Sequence, residues 1–211
     1  MSEAIERYGK RTWKQDPEGR RAKILEAAQR EFAANGMQKT RLDAVARQAG
    51  VSEGTVYHLF GSKRGLLEAV GAEYGERLAA AAFSDVPFEY SPRQTDRIVR
   101  NIFEFVRNTE GAFATFLLAN DPAEGGPAED ANRGMMLTAI EAYLDGWVAQ
   151  TGAPLNTRII AQFQFNLVEG ALRDCYLRGN QVDEEAYIRE AVRMLAASLR
   201  MPSFDQLMAE E

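Results

Sequence analysis

Between Ser52 and Lys63 the chain gathers hydroxyls, a carboxylate, an imidazole and an ammonium: Ser52, Glu53, Thr55, Tyr57, His58 and Lys63. Groups of these kinds, packed so closely in sequence, suit reversible hydrogen bonding and anion pairing. Bond-making chemistry is poorly served elsewhere. The chain has one His and one Cys, so no His/Cys zinc cluster can form within it. A Ser-His-Asp triad would have to draw on His58 itself. No glycine-rich phosphate cradle follows a strand-like run. The expectation is a non-enzyme with no cofactor and no metal.

The elements that must position these groups follow from the local pattern. Leu42, Val45, Ala46 and Ala49 fall at i, i+3, i+4, i+7, one apolar face of a helix. Thr40 is expected to cap that helix, and Gly50 to end it with a positive φ. Val51 then drops into the core and Ser52 caps the next helix. There Val56 and Phe60 point inward, which leaves Glu53, Gly54, Thr55, Tyr57 and His58 on the outer side. An amphipathic helix, a tight turn and a short helix with polar and aromatic tips make a helix-turn-helix, which can lay its second helix in the DNA major groove. The plainer alternative is a helical hairpin that merely packs.

Over residues 20–70 the chain resembles the tetracycline-repressor (TetR) family of transcriptional regulators. The resemblance rests on Arg21–Ala28, Phe32–Gly36, Thr40, Val45-Ala46, Ala49–Ser52, Gly54–Tyr57, Phe60, Ser62-Lys63 and Leu66-Leu67. It implies a DNA-facing set of Thr40, Arg41, Ser52, Glu53, Gly54, Thr55, Tyr57, His58 and Lys63. Tyr57 and Lys63 match positions that contact phosphates; Glu53, Gly54, Thr55 and His58 match positions that face bases. Two residues depart from the family pattern. Leu59 stands where tyrosine or histidine is common, which removes a phosphate contact and leaves Leu59 to pack. Arg41 stands where a second threonine is common, and its guanidinium can reach a phosphate or remain in solvent. Glu53 suits a polyanion only if it accepts from a cytosine amino group.

Charge divides along the chain in the same sense. The whole carries −6, yet residues 1–65 hold 13 Lys+Arg against 8 Asp+Glu, a net +5, and residues 66–211 hold 12 against 23, a net −11. A basic end can meet phosphates while the acidic remainder keeps away. No apolar run approaches the roughly 20 residues of a membrane span. The basic lead-in lacks the apolar core of a signal peptide, and one cysteine, Cys175, suits a reducing cytoplasm. Cys175 itself reads as a small hydrophobe.

The pattern predicts an all-α fold of about nine helices. Residues 1–15 form a basic arm, 16–65 a three-helix helix-turn-helix domain, and 66–211 a helical bundle for ligand binding and dimerisation. Asp16 caps the first helix, Pro17 opens it and Gly36 closes it. A fourth helix runs from Ser62 past Leu66, Leu67, Val70, Tyr74 and Leu78. Ser91-Pro92 starts another, and a Pro/Gly/acid loop occupies Asp121–Pro127. Later helices span about 129–150, 156–178 and 183–200, the last capped by Asp183, with Gly179 and Pro202 as breaks. Phe103, Phe113, Phe116, Met135, Tyr143, Trp147 and Phe163 put bulky groups in this bundle, either as core or, as the resemblance implies, around a small, mainly apolar effector. Asn166 is a polar residue that can orient such a ligand. Small residues Gly170, Ala171, Ala191 and Ala197 suit a close homodimer contact between the last two helices and their copies. The resulting reading is a dimeric repressor released from operator DNA by the effector. The alternative is an all-helical small-molecule or protein-binding module that no longer docks DNA.

Overall fold

The computed structural model describes residues 17–86, 91–109, 111–119, 131–177 and 182–199. Among them the fold is all-helical: α1 (Pro17–Lys39), α2 (Leu42–Ala49), α3 (Glu53–Phe60), α4 (Lys63–Ala82), α5 (Pro92–Arg107), α6 (Ala112–Ala119), α7 (Ala131–Thr151), α8 (Thr157–Tyr176) and α9 (Glu184–Ser198). The basic arm, Asp16, the 121–127 loop, Gly179 and Pro202 lie outside the described residues. No helix among those described is long and apolar enough to cross a membrane.

Helix starts are set by local side-chain bonds. Ser52, Ser91 and Asp183 each accept from the backbone N–H three residues on, Thr55, Gln94 and Ala186 respectively, at 3.1–3.2 Å. These bonds satisfy donors that a helix leaves orphaned at its first turn. Thr40 does otherwise. The residue that caps α2 is Arg41, without a side-chain bond. Thr40 turns back, its hydroxyl near Gly36 O (2.8 Å) and Glu31 O (3.1 Å), and seals the end of α1. The chain bends out of helical geometry at Gly36 (φ 69°, ψ 171°) within α1. Gly50 ends α2 in the left-handed region (φ 68°, ψ 32°), where its N–H reaches Ala46 O and Arg47 O.

The described residues fall into two compact units, one within Met1–Tyr74 and Gly111–Pro127, the other within Gly75–Glu110 and Ala128–Glu211. In the first, Ile24, Leu25, Ala28 and Phe32 of α1 meet Leu42, Val45 and Ala49 of α2, Val56 of α3, and Leu66, Leu67 and Val70 of α4. Burying each of these leucines contributes about 1.5–3 kcal/mol. Ala119 of α6 closes the same core, and Arg64 donates to its carbonyl. A segment expected in the carboxy-terminal bundle thus completes the amino-terminal one. Gly65 is dictated by proximity: a Cβ there would lie 2.2 Å from Phe60 O.

In the second unit α9 packs on α5 and α8, and α7 packs on α8. Leu144, Ala161 and Leu199 are buried with Trp147, Leu155 and Ile160 against them. Arg100 donates to Glu185 at 2.7 and 2.8 Å and to Asp96 at 3.0 Å, and Arg107 pairs with Glu184 at 2.5 Å. These pairs are half-exposed, so they fix the register of α5 on α9 more than they add stability, each worth about 0–1 kcal/mol. Tyr176 donates to Glu184 at 2.6 Å. Burial, and then Glu184, push its phenol well above the usual range and keep it protonated.

Candidate nucleic-acid interface

The exposed face of α3 is a consequence of what its other face buries. Val56 is 1% exposed, and Phe60 packs against the first core with the Arg21 guanidinium 5.7 Å from its ring centroid. At 100° per residue, Gly54 and His58 lie opposite that anchor, Tyr57 on one flank, Thr55 and Leu59 on the other. Glu53, Gly54, Tyr57, His58 and Leu59 are exposed. The resemblance left Leu59 to pack; instead it is 40% exposed. The Ser52 hydroxyl lies 2.8 Å from that of Thr55, so the two satisfy one another at the cap. Gly54 has an ordinary helical backbone, and a Cβ there would meet nothing nearer than Ser52 Oγ at 3.9 Å. Neither backbone nor crowding requires a glycine at that position.

Basic groups precede and follow this helix in the chain. Lys63, at the start of α4, donates from Nζ to Gln38 O at 3.2 Å and Thr40 O at 3.1 Å. Its ammonium carries three protons, so it ties α4 to the end of α1 with a donor left over. Arg41 pairs with Asp43 (Nε–Oδ1 2.9 Å) and Arg47 pairs with the same carboxylate (Nη2–Oδ2 3.1 Å). The hydrogen bond from Arg41, with both guanidinium charges, holds the Asp43 carboxyl below the ordinary carboxylate range. Arg47 was not among the expected contacts, although it is well exposed and lies on α2 beside the turn. Its signal was the Asp43–Arg47 i, i+4 spacing. Thr40, by contrast, is 3% exposed with its hydroxyl turned inward, so it supports the interface only from behind.

The residues expected around an effector are divided between the two units. Phe113 and Phe116 belong to the first unit, with Phe116 5.2 Å from Tyr74 between ring centroids. In the second unit Phe103 and Tyr143 are buried and Trp147 is partly buried. Met135 is exposed, and Phe163 is 67% exposed. Asn166 accepts from Arg133 at 2.8 Å on an exposed surface. Arg133 also approaches Glu169 and stacks 4.6 Å from the Phe165 centroid. An open groove of about 420 Å³ in this unit is lined instead by Arg77, Arg97, Asn101, Glu104 and Phe105, among others. Cys175 is half-buried, and burial followed by Glu184 and Asp174 raises its thiol pKa. It stays protonated and a poor nucleophile. No group of three His, Cys, Asp or Glu among the described residues could hold a metal.

Of the small residues expected at a subunit contact, Gly170 and Ala197 are exposed, whereas Ala171 and Ala191 are buried within their own unit. The exposed apolar groups nearby are larger: Ile159, Phe163 and Leu177 at and beyond α8, and Met194 on α9.

Residues 24–70, which contain α2, α3 and the start of α4, match the family model described as bacterial regulatory proteins, tetR family. Across 85% of its length the chain is 28% identical to the HTH-type transcriptional regulator UidR of Escherichia coli K12, covering 92% of that protein. It is 24% identical to the HTH-type transcriptional repressor AcnR of Corynebacterium glutamicum, over 74% of this chain and 94% of that one. Among solved structures, Salmonella enterica GusR shares the fold with a TM-score of 0.70 and 23% identity, over 88% of this chain and 98% of GusR.

Proposed function

Because the chain belongs to the tetR family of bacterial regulatory proteins, we propose that it is a DNA-binding transcriptional regulator that represses from an operator as a homodimer and is released by a small effector. The observation that carries this is α3. It is capped by Ser52 and anchored by Val56, and it turns Gly54, Tyr57 and His58 outward, with Arg47 shortly before it and Lys63 shortly after it in the chain. Tyr57, Lys63, Arg41 and Arg47 would hold phosphates and fix register, and Gly54, Thr55, His58 and Glu53 would meet base edges. Ile159, Phe163 and Met194 offer an apolar surface that a second copy would cover with the same residues, as a two-fold contact requires. Two recognition helices would then address half-sites about 34–36 Å apart.

Release needs an effector that prefers the state that binds DNA poorly. It would lodge among the aromatic side chains of the second unit, such as Phe103, Tyr143 and Trp147, and so be mainly apolar. Its effect would travel along α4, one uninterrupted helix from Lys63 to Ala82. The whole would operate in the cytoplasm, where the DNA is.

Selection of bound duplexes from a random pool tests this reading. The full chain should enrich a two-fold-related sequence with half-sites one helical turn apart, and the affinity should fall steeply with salt. An apolar metabolite that lowers the affinity would identify the effector class. A chain that ignores every duplex at low ionic strength would instead be the binding module without DNA contact.

A further inference from the structure

On the reading of α3 as the DNA-contacting helix, one of its flanks decides what it can recognise. Thr55 and Leu59 stand i, i+4, so their side chains lie one above the other. The core cluster of the first unit takes Val56, Phe60 and Val51 from this part of the chain, and Leu59 stays outside it with 40% of its surface exposed. It leaves hydrocarbon on the outside of a helix that otherwise turns out phenol, imidazole and carboxylate. The Thr55 hydroxyl is engaged with Ser52 Oγ at 2.8 Å, and the same Ser52 Oγ accepts the Thr55 N–H at 3.2 Å. The γ-methyl is the part of Thr55 not occupied at the cap. This flank thus offers hydrocarbon, while the opposite flank offers Tyr57.

Thymine alone carries a methyl group on its major-groove edge, and apolar contact, including that of a threonine methyl, reads it. Against the donor and acceptor edges of the other bases a hydrocarbon strip would leave polar groups desolvated and unpaired, which is costly. We propose that Thr55 and Leu59 form an apolar strip that selects thymine through its 5-methyl group, with Leu59 a specificity-determining residue. In a two-fold complex each half-site holds one such thymine.

The test starts from the operator enriched by the full chain and replaces each thymine in turn with deoxyuridine, which keeps the hydrogen-bonding edge and lacks the methyl. At one thymine per half-site, deoxyuridine should weaken binding about fourfold, the worth of one buried carbon group. Leu59→Ala should abolish the difference between thymine and deoxyuridine at that position, with an unchanged melting temperature because the side chain is exposed. Two results overturn the proposal: tolerance of deoxyuridine everywhere by a chain that still discriminates its operator from scrambled duplex, or a Leu59→Ala loss that is equal on thymine and deoxyuridine duplexes, which would put Leu59 against the sugar-phosphate backbone. Failure to enrich any duplex would sink the DNA reading itself and this proposal with it.

Discussion

The two units expose hydrophobic groups in different ways. In the first, Tyr57 and Leu59 sit on an eight-residue helix among polar neighbours. In the second, Ile159, Phe163, Leu177 and Met194 spread along and just beyond two helices of 20 and 15 residues. The first arrangement is narrow enough to enter a groove and mixed enough to read hydrogen-bonding edges. The second is broad, and suits another protein surface. On the proposed reading the same residue class would serve two purposes, and the width of the element that displays it would separate them.

The largest effect should come from comparing two phenylalanines. Phe103, with no exposure, should cost about 3–5 kcal/mol in thermal or urea unfolding when replaced by alanine. Phe163→Ala should leave the stability of the isolated subunit within about 0.5 kcal/mol and raise the dimer dissociation constant at least about tenfold, measured by sedimentation. Equal losses of subunit stability for both variants would erase the distinction drawn above. Next in size is Lys63→Ala. It removes two donor contacts to Gln38 O and Thr40 O, each worth roughly 1 kcal/mol net, and, on the proposed reading, one phosphate contact, so the salt slope of DNA binding should fall by about one. A wild-type slope in a folded Lys63→Ala protein would confine the lysine to its structural task. The smallest effect has opposite signs in its two readouts. Gly54→Ala should stabilise α3 by up to about 1 kcal/mol, since the helix has room for a methyl, while weakening DNA binding because the backbone can no longer approach as closely. Stabilisation with undiminished binding would remove Gly54 from the contact surface.

What could be read from the residues depended on the range of the interaction involved. The caps of α3, α5 and α9 were legible because Ser52, Ser91 and Asp183 bond only three residues ahead. The inward residues of α1 to α4 were legible because helical periodicity sorts faces within one element. Thr40 was misplaced as a cap because its hydroxyl is drawn to Glu31 O, nine residues back, where a forward bond was the local expectation. Phe113 and Phe116 were assigned to the wrong unit for a similar reason: the chain leaves the first core at α4 and returns at α6, and no periodicity records a return. Within the second unit, aromatic content identified the residues but not the side they face. Phe103 and Phe163 both sit on helices with an apolar stripe, and only the packing of α5, α8 and α9 tells the buried ring from the exposed one. The exposed face of α3 was accordingly more readable than the sides to which the second unit's aromatic residues turn.

Asp43 holds two guanidiniums that a duplex would also want. Its carboxyl stays ionised to lower pH than usual, so across the physiological range it acts as a counter-ion carried by the protein itself. A phosphate approaching either arginine would then meet this negative charge beside it, which weakens the attraction that the two guanidiniums would otherwise exert. On the proposed reading, a duplex that does not seat α3 would gain less from these two arginines than their charge alone suggests.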